Sequence, residues 1–365
     1  MRVFSVVLWL VLAAAPAQAQ DLQTSAGPVR VETVLTGLDV PWAIAFLPGG
    51  GFLVTEREGD LLLVRDGRAR RVRGVPRVRA QGQGGLLDVM VPRDHATTRE
   101  IFLTFSKRLT GGGIGTAVAA ARLDANRARL DVPRVIFEAA HVGRGGRHFG
   151  SRIVEASDGT LFVTLGDRGD MDQAQNLANH NGTVVRINRD GSVPADNPFV
   201  NRPGVRPEIW SWGHRNPQGA ALDRSGTLWV AEHGPMGGDE INRIRKGANY
   251  GWPVIGHGRH YSGARIGEGT HKAGMEQPAF YWDPSIAPSD MMIYSGRLWP
   301  QWRGHFFVGS LKFDMISHLA ESPLREIERI AGPQTQRIRD VAEAPDGSIW
   351  IVSEGNGAIY RMSPR

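Results

Sequence analysis

Short apolar runs, each entered through a glycine-bearing turn, recur from one end of the chain to the other. Pro48-Gly-Gly-Gly-Phe-Leu-Val-Thr-Glu, Asp158-Gly-Thr-Leu-Phe-Val-Thr-Leu-Gly-Asp, Ser225-Gly-Thr-Leu-Trp-Val-Ala-Glu-His-Gly and Asp346-Gly-Ser-Ile-Trp-Ile-Val-Ser-Glu-Gly are four clear copies. Glu100-Ile-Phe-Leu-Thr-Phe-Ser and Trp302-Arg-Gly-His-Phe-Phe-Val-Gly-Ser are two weaker ones. Runs of this length, rich in β-branched and aromatic residues and bounded by turn formers, predict strands, while helical periodicity is scarce. Six copies predict an all-β fold, a six-bladed β-propeller with four-stranded antiparallel blades, because each blade takes about 40–45 residues and loops take the rest. A pair of β-sandwiches is the alternative, but it does not explain one turn-strand unit recurring from Phe52 to Trp350. Closure of the ring would bring the first apolar strand, near Val31, beside the last blade near Ile359.

The 46 glycines and 22 prolines of the 365 residues are spread through turns rather than pooled in a linker, so residues 20–365 read as a single domain. Residues 1–19 read as a secretory signal: Arg2 gives the charged start, residues 3–15 the apolar run, and Ala17-Gln18-Ala19 the small-x-small cleavage site. That run is short of the ~20 residues needed to span a bilayer, and no later segment comes closer. The expectation is a soluble, periplasmic protein with no membrane span. There is no cysteine, so stability must come from burial, hydrogen bonds or metal ions. The net charge of +6, from 43 basic and 37 acidic residues, is too small for a nucleic-acid binder. Six arginines crowd residues 68–79, a run read as a solvated strand face rather than an interaction patch.

The densest chemistry lies over residues 210–250. It runs Trp210-Ser-Trp-Gly-His-Arg-Asn-Pro-Gln-Gly, a short strand, Glu232-His-Gly-Pro-Met-Gly-Gly-Asp-Glu-Ile-Asn, then Gly247-Ala-Asn-Tyr. A guanidinium, carboxamides, two imidazoles, carboxylates and the carbonyls of a Gly-Pro turn exceed what a strand and turn need to fold. Together they suit an anionic ligand and a hard cation. In a propeller the inner strands converge on a central channel, so polar residues at their ends meet although distant in sequence. The polar outliers beside the expected strands are Gln83, His148, Asp167, Arg215, Asn216, Gln218, Gly234-Pro235, Lys312, Arg337, Arg339 and Asp340.

In this order the motifs resemble the soluble glucose and aldose sugar dehydrogenases that depend on pyrroloquinoline quinone (PQQ), and most closely their bacterial aldose branch. The resemblance covers residues 40–361 and rests on the joint occurrence of Gly213-His-Arg-Asn-Pro-Gln-Gly, Asn249-Tyr-Gly-Trp-Pro and Arg147-His-Phe-Gly-Ser-Arg. It implies an enzyme with PQQ and Ca²⁺ as cofactors that oxidises the anomeric hydroxyl of an aldose to the lactone and passes electrons to an external acceptor. Under it His148 is the general base, a role suited to an imidazole of pKa ~6.5, and Asp167 orients it. Arg215, Lys312, Arg337 and Arg339 correspond to the cations that hold the planar tricarboxylate, with Gln83, Asn216 and Gln218 as amide contacts and Tyr261 walling the slot. The Gly234 and Pro235 carbonyls correspond to calcium ligands. Glu240 and the Tyr250 carbonyl correspond to a second calcium site, with a solvated Asp239-Glu240 acidic pair as the alternative.

Arg147 departs from the glucose dehydrogenase branch, which has an acidic residue there, and the long inserts that shape that branch's sugar pocket and dimer contacts are absent. A more open pocket, a broader range of aldoses, and a monomer or weak dimer are therefore expected. The alternative readings are a calcium-dependent lactone hydrolase and a non-catalytic carbohydrate-binding propeller; neither needs four cations in one pocket.

Overall fold

The computed structural model describes residues 20–109, 112–140, 143 and 145–365, so the expected leader over residues 1–19 lies outside the described residues. Six antiparallel sheets form the blades of a propeller. Blade one is Pro41–Phe46, Phe52–Glu56, Leu61–Arg65 and Arg68–Arg71. Blade two is Leu86–Met90, Glu100–Arg108 and Ile114–Asp124, with Arg129–Leu130 and Arg134–Glu138 both pairing onto the third strand. Blade three is Ile153–Glu155, Leu161–Leu165, Thr183–Ile187 and Ile209–Trp212, and blade four is Pro217–Leu222, Leu228–Glu232, Asp239–Arg243 and Phe280–Trp282. Blade five is Pro288–Ile293, Phe306–Ser310, Met315–Ala320 and Arg325–Ala331. Blade six takes Ile338–Glu343, Ile349–Ser353 and Ala358–Pro364 from the C-terminal end, Gly27–Leu35 from the N-terminal end, and Gln20–Thr24 outside that. The ring closes as expected: Val31 lies opposite Met362, and Leu35 opposite Ile359. Among the described residues the one α-helix is the single turn His95–Thr98.

The repeated unit of the sequence is the second strand of every blade. These strands are covered on both faces, which is why they read as continuous apolar runs instead of alternating ones; Phe52–Glu56, Leu161–Leu165 and Phe306–Ser310 are buried at every position. The outermost strand of blade one, Arg68–Arg71, is exposed at every position, so the arginine run faces solvent. The turns owe their form to aspartate and glycine. Asp158 and Asp346 accept the amides of Thr160 and Ser348 at 3.0 and 2.9 Å, and the intervening Gly159 and Gly347 take φ of +85° and +88°.

Apolar side chains pack between neighbouring blades, and each of the six interfaces has its own cluster, from Leu53 and Leu87 between blades one and two round to Val54 and Val352 between one and six. On the axis the chemistry changes. The Arg152 guanidinium, buried beside the innermost strand of blade three, lies 3.1 Å from Asp88 of blade two, 3.0 Å from Asp290 of blade five and 3.7 Å from Asp340 of blade six. It donates to the Gln218 carbonyl of blade four at 2.9 Å and the Arg339 carbonyl at 3.3 Å, and stacks 4.3 Å from the Trp42 ring of blade one. One side chain thus touches groups from the other five blades. Arg152→Ala would leave three buried carboxylates without their counter-ion, and breaking a buried pair costs about 3–5 kcal/mol. The expected result is a drop in Tm on the order of 10 °C by circular dichroism, where a surface substitution moves it by about 2 °C or less.

Candidate active site

His148 sits in the loop that enters blade three, with its backbone in the left-handed region at φ +55°. That conformation costs a non-glycine residue about 1–2 kcal/mol and persists only where partners impose it. Here its N–H donates to the Gln83 side-chain oxygen at 2.7 Å, and its Nδ1 lies 2.6 Å from Asp167 Oδ1. Asp167 is buried behind the ring, accepting the Gly169 amide at 2.7 Å and the Trp252 indole N–H at 2.9 Å. Burial pushes the Asp167 carboxyl up, but the hydrogen bond and charge of His148, the Gly169 amide and Arg215 outweigh it and hold it below the usual carboxylate range. An ionised Asp167 claims the Nδ1 proton and leaves the lone pair on Nε2. Burial also drives the His148 imidazole below its ordinary value; Asp167 opposes this, while Arg215 and Arg147 add to it. His148 is therefore neutral at pH 7. What it gives Asp167 in that state is an N–H donor, with Gly169, Trp252 and Arg215 completing the stabilisation of the carboxylate.

Two adjoining cavities of about 570 and 540 Å³ open at this end of the channel, sharing Gln83, His233, Ala287 and Lys312 in their walls. His148, Arg215, Asn216, Gly234, Pro235 and Tyr261 line the first, and Gln218, Arg337 and Arg339 the second. Residues from Gln83 to Arg339 are thus brought to one place, with Asp167 just behind. Asn216 accepts the Gly150 amide at 3.1 Å, tying blade four to the His148 loop. Tyr261 stands at the mouth, 76% exposed.

The cations differ in how they are held. Arg215 donates to the His233 and Gly234 carbonyls at 3.2 and 2.9 Å, and Lys312 has no carboxylate within ion-pair distance among the described residues. Arg337 and Arg339 are both clamped by Glu354, Arg337 Nε to one oxygen at 2.8 Å and Arg339 Nε and Nη2 to the other at 2.8 and 2.6 Å. Burial raises the Glu354 carboxyl, but the two guanidinium groups outweigh it and hold it ionised. Glu354 escaped the sequence reading, although it follows the last repeated strand much as Glu56 and Glu232 end theirs. His233 was also unassigned. It sits between the two cavities, and burial, reinforced by Arg215, His148 and Arg339, keeps it well below its ordinary pKa and so neutral.

Asp239 is buried and holds the Gly234-Pro235 turn, accepting the Gly234 amide at 2.7 Å, the Ser285 hydroxyl at 3.0 Å and the Ala287 amide at 2.8 Å. The solvated-pair alternative therefore fails for Asp239. Glu240 lies directly across the strand pair from Glu232, and both line a narrow cleft with Tyr250. Asn242 donates to both carboxylates, at 2.9 and 3.1 Å. Burial, then the Glu232 charge, pushes Glu240 up to about 8. The Tyr250 hydroxyl is spent on Arg243 and Arg245, so only its carbonyl is available to a ligand.

The site thus sets a buried imidazole–carboxylate couple beside clustered cations at the mouth of a propeller channel. The chain belongs to the glucose/sorbosone dehydrogenase family, whose profile matches residues 38–361. It is 42% identical over 346 residues to the aldose sugar dehydrogenase YliI of Escherichia coli (strain K12), covering 92% of this chain and 93% of that protein. The crystal structure of the soluble aldose sugar dehydrogenase from Escherichia coli in the apo-form superposes with a TM-score of 0.89 at 42% identity, over 92% of this chain and 100% of that one. The PQQ-bound form of an aldose sugar dehydrogenase from Streptomyces coelicolor superposes with a TM-score of 0.74 at 26% identity, over 96% and 99%. The chain is an oxidoreductase of the sugar dehydrogenase class. Because the Asp167 charge raises the His148 pKa, Asp167→Asn should shift the histidine titration to lower pH. Imidazole NMR signals followed against pH would show it, and an unchanged or raised midpoint would contradict the assigned couple.

Proposed function

We propose that the chain is a PQQ- and calcium-dependent aldose dehydrogenase, exported to the periplasm, that oxidises the anomeric carbon of sugars to the lactone and passes the electrons to an external acceptor. The observation that carries this reading is the His148–Asp167 couple facing the same cavities as Arg215, Lys312, Arg337 and Arg339. A planar tricarboxylate fits these walls, because Lys312 lacks a counter-ion among the described residues and Arg215 donates only to carbonyls. When bound, the quinone would supply the acceptor for the hydride leaving C1, and a calcium held by the Pro235 carbonyl and by the Gly234 carbonyl, once Arg215 turns from it to the anion, would polarise that acceptor.

The chain's own part is to hold and to take a proton. Nε2 of His148 accepts the proton of the C1 hydroxyl as the hydride departs, and Asp167 stabilises the imidazolium that results. Gln83 fixes the ring's backbone, and Asn216 ties the same loop to blade four. Gln218 accepts from Arg339 at 3.2 Å, so the amides also set the cations. The wide mouth, with Tyr261 exposed, admits aldoses of varied size.

Purified protein given PQQ and Ca²⁺ should reduce a dye acceptor on addition of aldoses and show a visible spectrum that changes with sugar; no reduction above the apo control would sink the proposal. His148→Ala is expected to lose about 10²-fold or more in kcat with PQQ binding largely kept. Turnover near wild type would remove His148 from the mechanism.

Glu232 facing Glu240 with only an amide between them is a donor set that wants a hard cation, and we assign the second calcium to Glu240 and the Tyr250 carbonyl. The folded-state pKa of Glu240, about 8, lies above its ordinary 4.5. In metal-free protein its contribution to stability is therefore complete below pH 4.5 and lost as the pH rises through about 8. Calcium competes with that proton, so its binding weakens as the pH falls below 8. The Tm gained on replacing chelator with CaCl₂ should be larger at pH 9 than at pH 6, and Glu240→Gln should abolish the difference.

A further inference from the structure

The arginine run over residues 68–79 has no part in the fold's core or in the cavity walls. Arg68, Arg70 and Arg71 lie on the exposed outer strand of blade one, and Arg73, Arg77 and Arg79 are exposed along the segment that crosses from its end toward Gln83. That segment is fixed: Arg73 donates its amide to the Ala128 carbonyl at 2.9 Å, Arg79 to the Ser106 carbonyl at 2.7 Å, and Val72 between strand and crossing is buried. The sequence has no Asp or Glu from residue 67 to residue 87. Among the described residues the only ion pair of the six arginines is Arg71 with Asp60. By contrast, Arg152, Arg186, Arg189, Arg339 and Arg361 all carry carboxylate partners. Arg79 is four residues from Gln83, at most ~14 Å along the chain, and Gln83 lines both cavities. Uncompensated positive charge thus runs from the rim of blade one to the mouth of the site.

We propose that this strip is the docking surface for an acidic, one-electron redox protein that carries away the electrons of sugar oxidation. It rests on the dehydrogenase reading above: conversion of one aldose to its lactone releases two electrons and two protons. Two acceptor molecules are reduced in succession per sugar, and the protons leave to water. Guanidinium groups pair with carboxylates in fixed geometry, and a one-signed surface beside the mouth steers an acidic partner to the place where the electrons emerge. A planar anionic membrane is the poorer match, because lying on a strip that reaches the mouth it would shut sugar out of the cavity.

The test compares wild-type holoenzyme with the double variant Arg77→Glu/Arg79→Glu, using glucose and three oxidants: plastocyanin as an acidic copper protein, cytochrome c as a basic haem protein, and a neutral short-chain quinone. At low salt the variant should reduce plastocyanin about tenfold or more slowly than wild type, reduce cytochrome c faster, and turn over the quinone at the wild-type rate. Added NaCl should erase the difference. Equal plastocyanin rates with normal quinone turnover overturn the docking surface. Equal rates together with loss of sedimentation on phosphatidylglycerol vesicles also overturn it and give the strip to a membrane. Absence of quinone turnover in the wild type strikes instead at the dehydrogenase reading beneath it.

Discussion

The buried charge of Arg152 constrains everything around it. An ion taken out of water costs several kcal/mol unless paired, and the pairing groups come from blades two, five and six, with further contacts to one and four. Apolar burial between blades supplies most of the stabilisation, but it is non-directional and would tolerate small slips of one blade against the next. A guanidinium with five directed donors does not. Three carboxylates exceed one positive charge, so a proton is retained here, on Asp290. Burial, with Asp340 adding and Arg152 opposing, pushes Asp290 well above the usual range, and burial pushes Asp88 to about 6.

The same residue builds the floor of the site. Its guanidinium holds the carbonyls of Gln218 and Arg339, whose side chains face the cavity, so the spacing of these cavity residues is set from below. Above this floor positive charge dominates, and His148 and His233, two of the imidazoles that line it, are kept neutral by burial and by neighbouring guanidinium groups. Asp167 stands behind His148, Glu354 behind two arginines, and Asp239 under the Gly-Pro turn. In the proposed reaction the cavity can therefore receive a polyanion without His148, the proposed base, being lost to protonation.

Much of this was legible in the chain because its signals are local. A run such as Leu161–Leu165 is apolar throughout since both faces are covered, and an Asp-Gly turn sets the next strand's start, so the blades and their number could be counted from the repeats. Residues with chemistry at strand ends, from Gln83 and His148 to Lys312 and Arg339, stood out because a strand end needs no such side chain to fold. Asp88 and Asp290 stood in ordinary local settings, while Arg152, His233, Trp252 and Glu354 lay inside quoted motifs or repeats that gave no hint of their roles; what all six do comes from partners distant in sequence.

By itself, then, the sequence determined the all-β repeat, the closing of the ring by its two ends, and the set of side chains available for acid–base and anion chemistry, since these follow from periodicity and residue type. The tertiary structure alone decided which carboxylate meets which cation, that Asp167 is ionised and His148 neutral, and that Glu232 faces Glu240. Those outcomes depend on burial and on distances across blades, and neither exists until the ring has closed around Arg152.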